Sequence, residues 1–331
     1  MRYRTALIFS LILSGATLSQ ETQKPFILEH MFHEHKIDFV NSTVYQQIDG
    51  YAAVYNSSHI FFDLKFTPDD EIFLNASITF GNGITKETEK EGYSISTTAD
   101  DLEDYLKDIN DTGRDYLLEL FYQKSIGNFT FIGGLIDSTA FIDANRYAND
   151  EHLQFLNCAF VNNPIAALPS YNPGVYIHYQ ITGSTGISGV YMQNKPDKGN
   201  VGIVEIEYET GNIGIRPYYF YVFGGEELKG FGLSGDYSFG NKGVFLRIGN
   251  SNTDQDYFIS GGFEISNIFK DDRVGLGYGY IHGKNETDDV HVSEAYYSYS
   301  LNEHITLSLD IQYMKEVKKD FIYGSRLYLS F

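Results

Sequence analysis

The sequence predicts an all-β fold: a transmembrane antiparallel β-barrel of about 16 strands. Three observations carry this reading. Most of the chain alternates apolar and polar residues with a period of two, the signature of strands with one apolar face. Most alternating segments run about 9–13 residues, the length a tilted strand needs to cross a bilayer. The connections sort by parity, with tight turns at one end and the longest loops at the other.

The first residues stand apart from that pattern. Arg2 and Arg4 precede an apolar run at 6–13, and small residues follow at Ser14, Gly15, Ala16, Thr17 and Ser19. The run is too short to span a bilayer as a helix, so 1–19 reads as a secretory signal peptide. Residues 20–42 do not clearly alternate and read as a periplasmic lead-in, with the barrel over 43–331. His30, His33 and His35 fall in this lead-in. Their spacing could hold a divalent metal, but an exposed segment is the simpler reading.

Alternating segments then follow near 43–56, 58–67, 71–80, 114–126, 128–138, 172–183, 185–194 and 200–209. Eight more lie near 212–223, 228–239, 243–251, 254–266, 272–282, 290–301, 303–315 and 319–331. In ITLSLDIQYM at 305–314, Ile305, Leu307, Leu309, Ile311 and Tyr313 share one face. Thr306, Ser308, Asp310 and Gln312 share the other. TPDD, LNEH and several Gly-Asn pairs read as short periplasmic turns. The long loops are 81–113, 139–171 and HGKNETDD at 282–289. In the first, Thr98 is placed to cap a short acidic helix over 99–109. Tyr218, Tyr219, Tyr221, Tyr296, Tyr297 and Tyr299 suit an aromatic girdle at a membrane interface.

Composition agrees with strands and narrows the function. The chain has 27 Tyr, 25 Phe and 32 Gly but only 7 Pro, and its net charge is −20. That charge argues against nucleic acid and favours cations or neutral solutes over anions. Cys158 is the only cysteine, so no intrachain disulfide and no thiolate metal site can form. No G-x-S-x-G, H-E-x-x-H or P-loop motif occurs, and neither an enzyme activity nor a cofactor is expected.

The loop at 139–171 is where function is expected. The wall of a wide barrel alone leaves an aqueous hole, and selectivity needs something folded inward to narrow it. The stretch FIDANRYANDEHLQFLNCAFVNNP fits that task. Asp143, Asn145, Arg146, Tyr147, Asn149, Asp150, Gln154 and Asn157 can line the gap. Their amides donate and accept hydrogen bonds, and Tyr147 offers a flat face. Alternatively, any single Asn can simply close an Asx turn. From the wall, alternation turns Glu205, Glu207, Arg216, Arg247 and Arg326 toward the lumen. Arginines facing carboxylates across a gap would create a transverse field.

GGLIDSTAFIDANRYANDEHLQFLNCAFVNNP, from Gly133 to Pro164, resembles the signature block of the carbohydrate-selective porin (OprB) family. The matching positions include Gly134, Asp137, Phe141, Asp143, Asn145, Tyr147, Asn149, Asp150, Gln154, Asn157, Asn162, Asn163 and Pro164. Leu135 stands where the family commonly has Lys. The resemblance implies a 16-stranded pore of the Gram-negative outer membrane that passes sugars and small hydrophilic solutes passively. Outer-membrane lipid is then a partner, and Phe331, ending an alternating strand with Leu327 and Leu329 on its face, resembles the terminal signal that the barrel-assembly machinery reads. The resemblance leaves room for a homo-oligomer. A general or cation-preferring pore is the alternative, and a surface glycan-binding adhesin a more distant one.

Overall fold

The computed structural model describes residues 34–225 and 227–331. The expected signal peptide and most of the expected lead-in, with His30 and His33, lie outside them. Sixteen antiparallel strands close into one barrel, each paired with its sequence neighbours and β1 paired with β16. The strands are β1 Glu34–Ile48, β2 Tyr51–Thr67, β3 Asp70–Phe80, β4 Leu117–Ile126, β5 Phe129–Ile136 and β6 Asn172–Gln180. They continue as β7 Thr185–Gln193, β8 Asn200–Glu209, β9 Ile213–Phe223, β10 Lys229–Phe239 and β11 Lys242–Ser251. The last are β12 Gln255–Ser266, β13 Asp272–Gly283, β14 Val290–Asn302, β15 Ile305–Lys315 and β16 Lys319–Ser330.

The first strand departs from expectation. Residues 34–42, read as lead-in, belong to β1 and pair with β2 from Glu34↔Lys65 to Ser42↔Ser57. The hairpin turn lies at Asp49 and Gly50, not near residue 57. Both turn residues have positive φ, 45° and 82°, the backbone a two-residue turn of this type requires and Gly adopts readily. Closure joins Val40↔Ser330 through Ile48↔Ile322. Main-chain bonds between Phe39 and Phe331, 3.0 and 2.9 Å, extend it to the last residue.

Alternation does the sorting that the sequence implies. On β15, Leu307, Leu309 and Ile311 face outward, Leu309 being 64% exposed, while Ser308, Asp310 and Gln312 are buried in the lumen. Every strand contributes to such an outer apolar surface. An apolar belt this extensive needs a nonpolar surrounding. Among the described residues no helix is long and apolar enough to cross a membrane. Tyr219, Tyr297 and Tyr299 stand on the outer surface as a girdle would require, but Tyr218 and Tyr296 are buried inside.

One rim carries only the short turns. The other carries eight loops, L1 to L8, of which L2 (81–116) and L3 (137–171) are long. L2 holds a helix missed in the sequence, α1 Thr85–Lys90. The helix expected over 99–109 shrinks to the single turn α2 Glu103–Leu106, preceded by Leu102 rather than capped by Thr98. Asn110, at φ 54° and ψ 33°, breaks the helical path beyond it. L3 contains the one-turn helix α3 Cys158–Val161, capped by Asn157, whose side chain accepts from the Ala159 N–H.

Candidate functional site: the cavity beside the inward loop

L3 enters the barrel and descends its full depth. Arg146 donates to the carbonyls of Thr210 (2.7 Å) and Gly211 (3.2 Å), which lie in a turn of the opposite rim. Apolar side chains drive the descent. Phe155 and Phe160 pack with Phe245 and Tyr296 on one side of the lumen. Phe141 and Ile142 pack with Phe121 and Tyr176 on the other. Each fully buried ring contributes about 1.5–3 kcal/mol. Two lumen-facing glycines are seats for the loop. A Cβ on Gly243 would lie 1.9 Å from the Tyr147 ring, and one on Gly277 would lie 2.7 Å from Phe160.

The wall then holds the loop by its backbone. Arg247, fully buried, donates to the carbonyls of Ala148 (2.5 Å), Asp143 (2.9 Å) and Phe160, and to Asn149 Oδ1 (3.0 Å). Its Nε lies 2.9 Å from Asp143 Oδ2. Arg216 donates to Ala144 O (3.1 Å) and pairs with Asp236 (2.8 Å). Arg326 donates to the carbonyls of Glu151 and Gln154, the latter at 2.8 Å. Glu205 accepts the Asp143 N–H at 2.9 Å. Glu294 accepts those of Leu156 and Asn157 at 2.6 and 2.9 Å.

Several expected gap-lining residues therefore sit between loop and wall. Arg216, Arg247 and Arg326 do face the lumen, and their guanidiniums hold L3 by its carbonyls. Asn145 closes an Asx turn, accepting from the Tyr147 N–H (3.0 Å), and donates to Ser234 (3.1 Å). Asn157 donates to Gln312 at 3.0 Å. Gln154 accepts from Asn149 N (2.9 Å) and donates to Arg146 O (2.8 Å), bracing L3 internally. Asp150 accepts from the His152 and Leu153 N–H groups, both at 2.9 Å. Tyr147 bonds Ser238 at 2.5 Å. Glu207 lies 3.7 Å from His178. Of the expected set, Asn149 lines the open space beside the loop, and Arg146, Tyr147 and Asp150 are half-buried.

That space is a cavity of about 270 Å³ between L3 and the wall of β1–β4. Its lining includes six carboxylates, Asp38, Asp63, Asp101, Glu119, Asp137 and Glu151, and no Lys or Arg among the described residues. A row of aromatic rings runs along it. Phe61 and Phe73 stack at 6.1 Å, Phe73 meets Phe121 at 5.0 Å, and Phe121 meets Phe141 at 6.4 Å. Amides from Asn75, Asn149 and Asn162 lie between. Burial pushes the Glu151 carboxyl up to about 7; His152 opposes the rise, and the Asp100 and Asp150 carboxylates add to it. Burial alone would lower His152, but Asp100 and Glu151 hold it above the ordinary imidazole value. Cys158 donates to Thr98 O at 3.2 Å, and burial pushes its thiol up to about 12, leaving a poor nucleophile at neutral pH.

Sequence reasoning named Asn149 of this lining, and Asp137, Phe141 and Asn162 through the resemblance, and missed the rest. One signal was present: Phe61 and Phe73 stand on the polar faces of their strands, sharing them with His59, Asp63 and Asn75. An aromatic ring on a lumen face has no lipid to meet, so its placement there points to a role inside.

The chain is 38% identical over 296 residues to an uncharacterised protein of Aquifex aeolicus, spanning 89% of this chain and 94% of that one. It belongs to that protein's family. No family model matches the sequence. Among solved structures, Pseudomonas putida OprB at high pH superposes with a TM-score of 0.73 at 13% identity, covering 92% of this chain and 96% of that one. A triple mutant of Rhodopseudomonas blastica porin gives 0.58 at 10% identity, covering 90% and 100%. At these identities the likeness is one of fold, the 16-strand porin barrel.

Proposed function

We propose that the chain is an outer-membrane diffusion pore that passes carbohydrates and other small hydrophilic solutes down their gradients and disfavours anions. One observation carries the reading: the space left beside L3 is lined by carboxylates, amides and an aromatic row. Sugars need groups that donate and accept hydrogen bonds, plus flat apolar surfaces for their C–H faces. Phe61, Phe73, Phe121 and Phe141 supply the surfaces, and Asn75, Asn149 and Asn162 supply the amides. Each such contact must stay weak for the solute to leave.

The six carboxylates also favour a second reading, a general cation-preferring pore. Those that stay ionised raise the local concentration of cations and disfavour anions. The two readings separate on sugar. In planar bilayers, millimolar maltose is expected to reduce the single-channel current of the wild-type chain. Phe61→Ala/Phe73→Ala is expected to weaken that block about threefold to tenfold, as loss of aromatic contacts worth about 0.5–1.5 kcal/mol implies. Wild-type channels indifferent to sugar would leave the cation-preferring pore alone. A folded chain that never conducts would favour a glycan-binding adhesin.

A further inference from the structure

Three side chains from three separate elements converge beside the passage. His59 comes from β2, Asp100 from L2 and His152 from L3, and one ligating atom of each lies within 4.8 Å of the others. The imidazoles of His59 and His152 meet edge to face with centroids 5.4 Å apart. Asp100 is 4% exposed. Its Oδ1 accepts the Asp101 N–H at 2.8 Å, but its Oδ2 accepts no hydrogen bond and lies 4.0 Å from His152 Nδ1. Ser57, whose hydroxyl also neighbours Asp100, donates to His59 Nε2 at 2.9 Å, and Ser42 Oγ lies 2.9 Å from His152 Nδ1. A buried carboxylate oxygen without a donor is costly, and a cation beside it removes the cost.

The surroundings prepare His59 to be a ligand. Asn75 donates through Nδ2 to Glu119 at 3.2 Å, so its Oδ1 faces the ring. His59 Nδ1 lies 3.3 Å from that oxygen and must donate to it. The proton is thereby fixed on Nδ1, and the lone pair falls on Nε2, where a metal ion would take the place of the Ser57 O–H. An imidazole whose second nitrogen is held by an outer partner is the usual arrangement in metal sites.

We propose that His59, Asp100 and His152 form a site for a borderline divalent transition ion such as Zn²⁺, tying L2 and L3 to the wall at the edge of the passage. Two imidazoles and one carboxylate select such ions over Ca²⁺ and Mg²⁺, which take oxygen ligands. Three protein donors leave a position for water. Tetrahedral donors at Zn–N bonds of about 2.0–2.1 Å stand about 3.4 Å apart, so the side chains close in on binding. The proposal is independent of the pore reading, because the metal can be counted on the folded chain without any conductance.

The test is zinc retention after the refolded mature chain is equilibrated with micromolar Zn²⁺ and desalted. One zinc per chain is expected in the wild type and in His30→Gln/His33→Gln/His35→Gln. Retention is expected to weaken about tenfold to a hundredfold in His59→Gln, His152→Gln and Asp100→Asn. For any variant that does not fold, Cu²⁺ loaded onto the wild-type chain gives a second readout. Nitrogen couplings from two imidazoles in its electron paramagnetic resonance spectrum, kept in the triple lead-in variant, support the site. A wild-type chain that retains no zinc, or zinc lost in the lead-in variant and kept in the other three, overturns it.

Discussion

Replacing Arg247 with Met is expected to release L3 and leave the barrel standing. The guanidinium serves the carbonyls of Asp143, Ala148 and Phe160 and faces the Asp143 carboxylate, all fully inside the protein. Removing one partner of a buried pair costs about 3–5 kcal/mol, because the other is left uncompensated. That cost falls on the loop. The β10–β11–β12 ladders pair main chain to main chain and do not involve the side chain. The variant is therefore expected to fold and insert like the wild type. Its single-channel conductance should rise by about twofold or more, toward the open hole of an unconstricted wide barrel, with added current noise. Arg247→Met/Asp143→Asn should recover part of the loss, since no buried charge is then stranded. A single variant with wild-type conductance would show that L3 is held by its apolar contacts alone.

The second large effect concerns charge. Asp38, Asp63 and Glu119 line the cavity from the wall. Neutralising them as Asp38→Asn/Asp63→Asn/Glu119→Gln removes three of the six carboxylates and frees Lys36 from its 2.7 Å pair with Asp38. A unit charge at about 4 Å is worth about 1 kcal/mol even at the dielectric of water. The potassium-to-chloride permeability ratio should fall about tenfold, read from the reversal potential in a potassium chloride gradient. An unchanged ratio would mean that ions do not pass along this wall.

The wall was legible because lipid and lumen impose opposite polarities on alternate residues. The run from Ile305 to Lys315 shows this, and the inward direction of Arg216, Arg247 and Arg326 followed from it. β1 was hidden because its faces are mixed. Phe39, Asn41 and Thr43 share the outer face, while Val40, Ser42 and Val44 share the inner one. Asp49-Gly50 was the available sign of the hairpin, since that dipeptide favours the tight two-residue turn. The partners of the inward arginines were out of reach. Arg247 meets Ala148 across 99 residues, and no local pattern encodes that meeting. For the same reason the Asn and Arg side chains of L3 read as pore lining, although most of them fasten the loop. The aromatic row was divided among β2, β3, β4 and L3 and became a row only when the barrel closed.

The proposed path for solutes runs between L3 and the wall of β1–β4. A cysteine at Phe73, on a Cys158→Ser background, tests it most directly. Phe73 lines that cavity, so attaching a cationic thiol reagent there should cut the current through an open channel sharply and lower its cation preference. Complete attachment, verified by mass, with current and selectivity unchanged would contradict the claim and place the conducting path elsewhere.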